Sequence, residues 1–270
     1  MKRIHDFVSH GYDSDAGIIR NKNDRAIEQL IQALTALTPP LRLIDLGVGD
    51  GAFLSRLAEQ IGEARFTGVD LSSKMVEKAA SAVPGLEGIV SDIRHVAEHT
   101  KEGGWDVAIA HFVLAYVDID TLIAQAKHVL RPGGLFSFVT STNSAANVCR
   151  REIARLRATG NPIDRLAAWV GERGIERTQT PNDFEEMAAA LAAQGFSVAS
   201  RESHSTRVVL NDSAEAYEFG ITKGWGVNAI SIPLLPTGLL LKIAEMALDR
   251  CEYPYVAEHT VEMVVARKDG

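Results

Sequence analysis

Four consecutive apolar runs of the chain end on polar side chains, namely Asp45, Asp70, Asp92 and His111. Each run is short enough for one strand, and parallel strands present their carboxyl ends at one edge of a sheet, where ligands bind. Carboxylates at that edge can accept hydrogen bonds from the hydroxyl or amino groups of a ligand. A histidine there can exchange a proton near neutral pH. The spacing therefore predicts a polar ligand site along one edge of a sheet.

The first of these strand ends opens a glycine-rich turn, Asp45–Gly51. Glycines permit positive φ angles and leave room for a ligand to approach the backbone. The helix that follows presents N–H groups suited to an anionic group such as a carboxylate. Gly47, Gly49 and Ala52 also satisfy the pattern G-x-G-x-x-A of dinucleotide-binding proteins, so the turn alone does not separate these ligand classes.

The elements that must position these residues follow an alternating order. Between Leu41 and Thr140, short apolar runs alternate with helical patterns, which is typical of a parallel α/β sheet. The predicted strands of this part cover residues 41–46, 66–69, 86–90, 105–110 and 135–139. Beyond it, we expect helices within 143–180, a helix over 184–193, and strands over 196–210 and 260–267. The strict alternation of the last segment predicts a strand in the edge region of the sheet.

Composition excludes several classes of function. The 28 Lys+Arg against 35 Asp+Glu give a net charge of −7, which argues against a nucleic-acid binder. The two cysteines, Cys149 and Cys251, have no metal-type spacing, so neither a metal site nor a disulfide framework is predicted. We expect no secretory signal in Met1–Gly11, and no membrane span in Ala229–Leu248, which prolines and charges interrupt. These features predict a cytoplasmic protein.

In these motifs the chain resembles the class I S-adenosylmethionine-dependent methyltransferases. More narrowly, it is similar to their small-molecule branch, represented by the ubiquinone and menaquinone type. The turn Asp45–Gly51, the acids Asp70 and Asp92, and the turn Leu130–Gly134 carry the resemblance. It implies a doubly wound, mostly parallel seven-stranded sheet of the Rossmann-like α/β class, with an antiparallel last strand and a helical cap.

The domain organisation expected from this resemblance is one methyltransferase domain over residues 1–270. Its core covers about 39–142, 183–210 and 258–268, and its cap or lid comes from 1–38, 143–182 and 211–257.

The resemblance also implies a cofactor, S-adenosylmethionine, and residues that hold it. The turn would wrap its methionine part, the second strand end would bind the ribose, the third would face the adenine, and the fourth would lie beside the sulfonium. The predicted cofactor-binding residues are Tyr12, Asp45, Gly47, Gly49, Asp70, Leu71, Asp92, Ile93, His111 and Phe112.

These roles also agree with elementary electrostatics. A carboxylate such as Asp70 can accept hydrogen bonds from both ribose hydroxyls. A cofactor that is a cation at sulfur and carries no phosphate suits a site lined by acids. His111 is the candidate catalytic base, because an unperturbed histidine titrates near neutral pH. Methyl transfer can also proceed through proximity and orientation, in which case His111 only packs or forms a hydrogen bond.

The acceptor is expected to be a small molecule, and the sequence leaves open whether O, N, C or S is methylated. Tyr217 and Trp225 could wall its pocket or belong to the core of the cap, and Tyr12 could form a lid. The oligomeric state is open as well.

Two other functions are compatible with the sequence. The G-x-G-x-x-A match is compatible with an NAD(P)-dependent oxidoreductase, although it leaves Asp50 and Asp92 without a role. A non-catalytic protein that binds S-adenosylmethionine would have the same motifs.

Overall fold

A seven-stranded sheet organises the residues that this computed structural model describes, which are 17–142, 146–177, 179–222 and 236–270. Its strands are β1 (Leu41–Leu46), β2 (Ala64–Asp70), β3 (Glu87–Val90), β4 (Trp105–His111), β5 (Leu130–Ser141), β6 (Phe196–Leu210) and β7 (Tyr255–Lys268). They lie in the order β3-β2-β1-β4-β5-β7-β6. Strands β1 to β5 pair in parallel, whereas β7 runs antiparallel to β5. The predicted fold class is confirmed.

Helices connect the strands and lie on both faces of the sheet. The α-helices within the described ranges are α1 (Gly17–Leu34), α2 (Ala52–Ala58), α3 (Ser73–Ala82), α4 (Ile119–Val129), α5 (Ala146–Ala158), α6 (Pro162–Arg177), α7 (Phe184–Ala193), α8 (Ser213–Tyr217) and α9 (Thr237–Leu248). A 3-10 helix covers Ile93–Glu98 and a π-helical turn covers Glu218–Thr222.

Capping side chains fix where helices after the strands begin. Ser72 accepts a hydrogen bond from the Met75 amide at the start of α3, and Asp118 accepts one from the Thr121 amide at the start of α4. Each cap satisfies a backbone donor that the first helical turn leaves without a partner. These short links hold the loops at the carboxyl edge of the sheet in place.

Alternate residues of the central strands point into two separate cores. Ile44 and Phe136 are fully buried on the face covered by α4 and α7. Leu43 and Ile109 are fully buried on the opposite face, covered by α1 and α2. This double burial accounts for the continuous apolar runs of the parallel strands.

The last strand lies in the edge region, as predicted: β7 lies between β5 and β6, and β6 forms the edge. Both faces of β7 are covered: Val261, Met263 and Val265 pack in one core and Val264 in the other. The alternating segment includes Glu262, which is buried and whose carboxylate forms an ion pair with the Arg201 guanidinium of β6 at 2.9 Å.

The helix Gly17–Leu34 does not belong to a cap, contrary to the prediction for residues 1–38. Its inward face, which includes Ala26, Ile27 and Leu30, packs in the core under the sheet. Contacts between residues divide the chain into two compact units, and this helix falls in the unit formed by 13–142, 180–204 and 261–270.

The second compact unit comprises residues 1–12, 143–179 and 205–260, of which part is described. It contains α5, α6, α8 and α9 and two small apolar clusters, one around Ile153 and Ala168 and one around Val170 and Leu240. An ion pair of Arg250 with Asp164 at 2.6 Å links the segment that follows α9 to α6. Five arginines of α5 and α6 are exposed; these are Arg150, Arg151, Arg157, Arg165 and Arg173.

Candidate active site

The turn after β1 has a backbone conformation that only glycines adopt easily. Gly47, Gly49 and Gly51 have φ angles of 111°, 55° and 82°. The amides of Gly47 and Val48 both donate to the Val69 carbonyl, at 2.8 and 2.9 Å, which fixes the turn against β2. A Cβ atom at Gly47 would lie 2.4 Å from a methyl group of Val113, so the glycine also makes room for the neighbouring loop.

Asp70, at the end of β2, binds two loops of the same edge. One carboxylate oxygen accepts a hydrogen bond from the Gly49 amide at 3.1 Å, and the other accepts one from the Ser72 amide at 2.8 Å. A carboxylate offers about four acceptor positions, so these two contacts are compatible with further bonds to a ligand. Asp70 thus holds the glycine turn and the start of α3 in one arrangement.

Asp45 is only 4% exposed, and its Oδ1 atom accepts no hydrogen bond from the described residues. Burial, with a further contribution from the charge of Asp70, raises the pKa of Asp45 to about 8. A carboxyl group in this environment holds its proton at neutral pH. Because a buried polar atom without a partner is rare in folded proteins, Asp45 marks a place where a ligand group could bind.

Asp92 has a partner within the chain. Its carboxylate accepts hydrogen bonds from the Arg94 amide at 3.0 Å and from the Arg94 guanidinium at 2.9 and 2.5 Å, and it caps the 3-10 helix. Hydrogen bonding to Arg94 lowers the pKa of Asp92. A ligand amine would share this carboxylate with Arg94. The adjacent Ile93 is half-buried and packs against the apolar core.

His111 ends β4 on the same face of the sheet as Asp45. Its Nε2 atom lies 3.3 Å from the Ser137 hydroxyl, its ring contacts Phe53 edge-on at 4.1 Å, and its buried Nδ1 atom has no partner among the described residues. Burial lowers the pKa of His111 to about 3. The imidazole is therefore neutral at physiological pH and a weak base.

Phe112, the next residue, has a positive φ of 58°, which is uncommon for a residue that carries a Cβ atom. Its amide donates to the Val139 carbonyl at 2.7 Å, which holds this conformation. Such strain is concentrated at functional sites, where the surrounding structure maintains it.

Two residues near these strand ends were missed by the sequence analysis. Burial raises the pKa of Tyr116 to about 12, and the negative charge of the nearby Asp70 adds to this effect. Ser137 is buried in β5 and contacts His111. The serine within an otherwise apolar strand was the available signal for Ser137, whereas no spacing pattern pointed to Tyr116.

The structure brings most of the predicted site residues to one edge of one compact unit: Asp45, Gly47, Gly49, Asp70, Leu71, Asp92, Ile93, His111 and Phe112. Tyr217 lies in the other unit, half-buried against an apolar cluster. Tyr12 and Trp225 lie outside the described residues. Over the described ranges, no group of three or more His, Cys, Asp or Glu side chains could hold a metal ion.

A family model described as a methyltransferase domain matches residues 43–134, which contain the glycine turn and all four polar strand ends. Residues 43–134 of this chain are thus similar to a methyltransferase domain. Among its relatives, the malonyl-[acyl-carrier protein] O-methyltransferase of Geobacter sulfurreducens is 28% identical over 190 residues, which are 68% of this chain and 65% of that protein. The ubiquinone biosynthesis O-methyltransferase of Sinorhizobium fredii is 29% identical over 73% of each chain.

The chain thus spans slightly less than two thirds of the first of these relatives. In fold, it is similar to a solved structure of a putative methyltransferase from Bacillus halodurans, with a TM-score of 0.59 and 13% identity over 90% of this chain and 99% of that one. The predicted resemblance to class I methyltransferases is confirmed, and the oxidoreductase alternative is not favoured.

The site fits S-adenosylmethionine, which is a sulfonium with no phosphate. Residues 43–55 contain no Lys or Arg, and the acids Asp45, Asp50 and Asp70 at this turn suit a cationic sulfonium better than a pyrophosphate. The Oδ1 atom of Asp45, which has no donor within the described residues, suits the amino group of the methionine part. No helix in the described part of the chain is long and apolar enough to cross a membrane.

Proposed function

We propose that this protein transfers a methyl group from S-adenosylmethionine to a small-molecule acceptor and releases S-adenosylhomocysteine. The observation that carries the proposal is the hydrogen bond from the Gly49 amide to Asp70. It joins the glycine turn, which would hold the methionine part of the cofactor, to the acid that would hold the ribose. When bound, the cofactor supplies an electrophilic methyl carbon on its sulfonium, and displacement at that carbon gives the demethylated product.

The residues of the chain supply binding and orientation. Asp70 accepts hydrogen bonds from the ribose hydroxyls, with Leu71 beside it, and the half-buried Ile93 offers an apolar surface to the adenine. Asp92 accepts a hydrogen bond from the adenine amine only if it shares its oxygens with Arg94. Alignment of the reacting atoms by such contacts accelerates a displacement without any proton transfer.

His111 is proposed to orient the acceptor through one hydrogen bond. A pKa of about 3 keeps the imidazole neutral, so one of its nitrogens donates and the other accepts. Ser137 fixes the ring through the Nε2 contact at 3.3 Å. Because a base with so low a pKa holds a proton weakly, His111 supports catalysis mainly by positioning the acceptor.

The acceptor is proposed to be a small molecule rather than a nucleic acid, because the net charge of −7 and the acids of the turn disfavour a polyanion. Two widely spaced cysteines agree with the cytoplasm as the proposed compartment. The roles predicted for Tyr12, Tyr217 and Trp225 stay predictions.

Methyl-tritiated S-adenosylmethionine incubated with the protein and a cell extract tests this function. We expect label to pass to compounds that a size-exclusion filter separates from protein and nucleic acid. The transfer should be lost in Asp70→Asn and kept in Glu77→Gln, which removes an exposed acid of α3. Label in the macromolecular fraction would contradict a small-molecule acceptor, and NAD reduction without label transfer would contradict the methyltransferase reaction.

A further inference from the structure

The acid that follows β3, Asp92, is bound by an arginine two residues further along the chain. One carboxylate oxygen, Oδ1, accepts hydrogen bonds from the Arg94 amide at 3.0 Å and from Arg94 Nε at 2.9 Å. The other oxygen, Oδ2, accepts one from Arg94 Nη2 at 2.5 Å. The guanidinium thus contacts both oxygens of the carboxylate with two N–H groups, which is the arrangement that gives an arginine–carboxylate pair its geometric specificity.

Arg94 is itself held in place by α4. The side-chain amide of Gln125 donates to the Arg94 carbonyl at 3.2 Å and accepts a hydrogen bond from the Ala97 amide at 3.0 Å. Hydrogen bonding to Asp92 raises the pKa of the Arg94 guanidinium, and the charge of Asp118 at the start of α4 adds to this effect. The main chain and the side chain of Arg94 are therefore both fixed by contacts within the same compact unit.

The guanidinium restricts the Asp92 carboxylate more than the backbone cap does. The Arg94 amide contacts only Oδ1, and rotation of a carboxylate about its Cβ–Cγ bond is otherwise broad. The bond from Nη2 to Oδ2 fixes the plane of the group. A carboxylate has about four acceptor positions, and the bonds from Arg94 occupy two on Oδ1 and one on Oδ2. The described residues thus leave one acceptor position, on Oδ2, for a ligand donor.

We propose that Arg94 is a positioning residue for the cofactor: it holds Asp92 so that Oδ2 accepts one hydrogen bond from the amino group of a 6-aminopurine. This inference rests on the proposed function, in which Asp92 faces the adenine. The hydrogen bonds from Arg94 also lower the pKa of Asp92, which keeps the acceptor ionised. A 6-oxopurine presents a carbonyl oxygen in place of the amine, and an ionised carboxylate has no proton to donate to it. The pair therefore selects adenine over hypoxanthine.

Two other roles of Arg94 make different predictions. If Arg94 only stabilised the 3-10 helix that Asp92 caps, its loss would weaken the binding of 6-amino and 6-oxo ligands equally. If Arg94 competed with the ligand for Asp92, its loss would strengthen the binding of the 6-amino ligand. A positioning role instead weakens the 6-amino ligand and leaves the 6-oxo ligand almost unchanged, so the ratio of the two affinities separates the three roles.

Calorimetric titration with S-adenosylhomocysteine and with S-inosylhomocysteine, its 6-oxo counterpart, tests the proposal. We expect the unsubstituted protein to bind S-adenosylhomocysteine about tenfold or more tightly than S-inosylhomocysteine, since a hydrogen bond to a charged group is at stake. Arg94→Met should weaken S-adenosylhomocysteine binding by about tenfold and S-inosylhomocysteine binding by less than about twofold. Arg65→Met, which removes an exposed arginine of β2, should change neither affinity.

Thermal unfolding of each variant shows whether it is folded, and Arg94→Lys gives a second measurement should Arg94→Met fail to fold. Lysine keeps the charge but lacks the planar fork that binds both oxygens. We therefore expect Arg94→Lys to discriminate between the two ligands less than the unsubstituted protein does, and more than Arg94→Met.

An unchanged ratio of the two affinities in the folded Arg94 variants would overturn the proposal, whether both ligands bind as before or both bind more weakly. Tighter binding of S-adenosylhomocysteine in Arg94→Met would overturn it as well, as would equal affinity of the unsubstituted protein for the two ligands. A protein that binds neither ligand would instead refute the proposed function on which the inference rests.

Discussion

The charge of Asp70 acts on the buried carboxyl group of Asp45 and, together with burial, raises the pKa of Asp45 to about 8. The two acids end neighbouring strands, β1 and β2, and are joined through the turn by the Gly49–Asp70 hydrogen bond. Asp70 thus acts on Asp45 as a charged carboxylate, and Asp45 keeps a proton at neutral pH. Two acids with different protonation states can make different contacts with one ligand.

The pKa of Asp45 predicts how stability depends on pH. The folded state holds the Asp45 proton more tightly than the unfolded state between pH 3.8 and about 8, so the free energy of unfolding falls as pH rises through that window. His111 has the opposite effect between about 3 and 6.5, because its folded-state pKa is lowered. The two effects oppose each other up to pH 6.5, and above it only the Asp45 effect remains.

We therefore expect Asp45 to reduce the free energy of unfolding by about 2 kcal/mol between pH 6.5 and 8. Denaturant unfolding of the unsubstituted protein, Asp45→Asn and Glu77→Gln at these pH values checks this. The decrease should be absent only in Asp45→Asn. The same slope in all three proteins would contradict a raised pKa of Asp45.

Burial of His111 predicts the pH profile of turnover. Since the ring stays neutral above about pH 3, kcat/KM should show no histidine step near pH 6.5. His111→Gln should lower kcat by about 10- to 100-fold through lost orientation, and Ser137→Ala, which removes the hydroxyl beside Nε2, by a few-fold. The rate of S-adenosylhomocysteine formation measures both the pH profile and the kcat of the two variants. An acidic limb near pH 6.5 that vanishes in His111→Gln would identify the ring as an ordinary base.

Gly47 should tolerate no side chain. Gly47→Ala forces a Cβ atom to 2.4 Å from Val113 at a φ of 111°, whereas Gly85 has a φ of 76° and a Cβ atom added there would meet nothing within 4 Å. We expect Gly47→Ala to cost about 3 kcal/mol or more and Gly85→Ala about 1 kcal/mol, because only the first adds a clash to the backbone strain. Chemical denaturation of both variants gives the comparison, and equal losses would show that the turn can shift.

The ion pair that buries Glu262 should matter for stability. Glu262 is 6% exposed in β7, and Arg201 also lies over the Phe184 ring at 3.8 Å. Arg201→Met leaves the carboxylate without its charge partner and should destabilise the fold by about 2 to 4 kcal/mol. Adding Glu262→Gln to Arg201→Met should recover part of the loss. If Arg201→Met unfolds at the same denaturant concentration as the unsubstituted protein, the pair contributes nothing.

The strand ends could be predicted from sequence because they depend on local patterns. Apolar runs of strand length, each closed by Asp or His, identified Asp45, Asp70, Asp92 and His111 before their positions were known. The turn glycines were equally visible, since positive φ angles restrict the residue type.

Other features depend on contacts between distant segments. The packing of the inward face of α1 under the sheet depends on the docking of the whole helix, and so does the burial of Lys22. The Arg94 ion pair of Asp92 depends on side-chain conformations that spacing alone does not determine.

Calorimetric titration with S-adenosylhomocysteine and, separately, with NAD determines which cofactor class this site binds. We expect the unsubstituted protein and Glu77→Gln to bind S-adenosylhomocysteine with equal affinity and not to bind NAD, and Asp70→Asn to bind S-adenosylhomocysteine about tenfold or more weakly. Binding of NAD without S-adenosylhomocysteine, or unchanged S-adenosylhomocysteine affinity in Asp70→Asn, would contradict it.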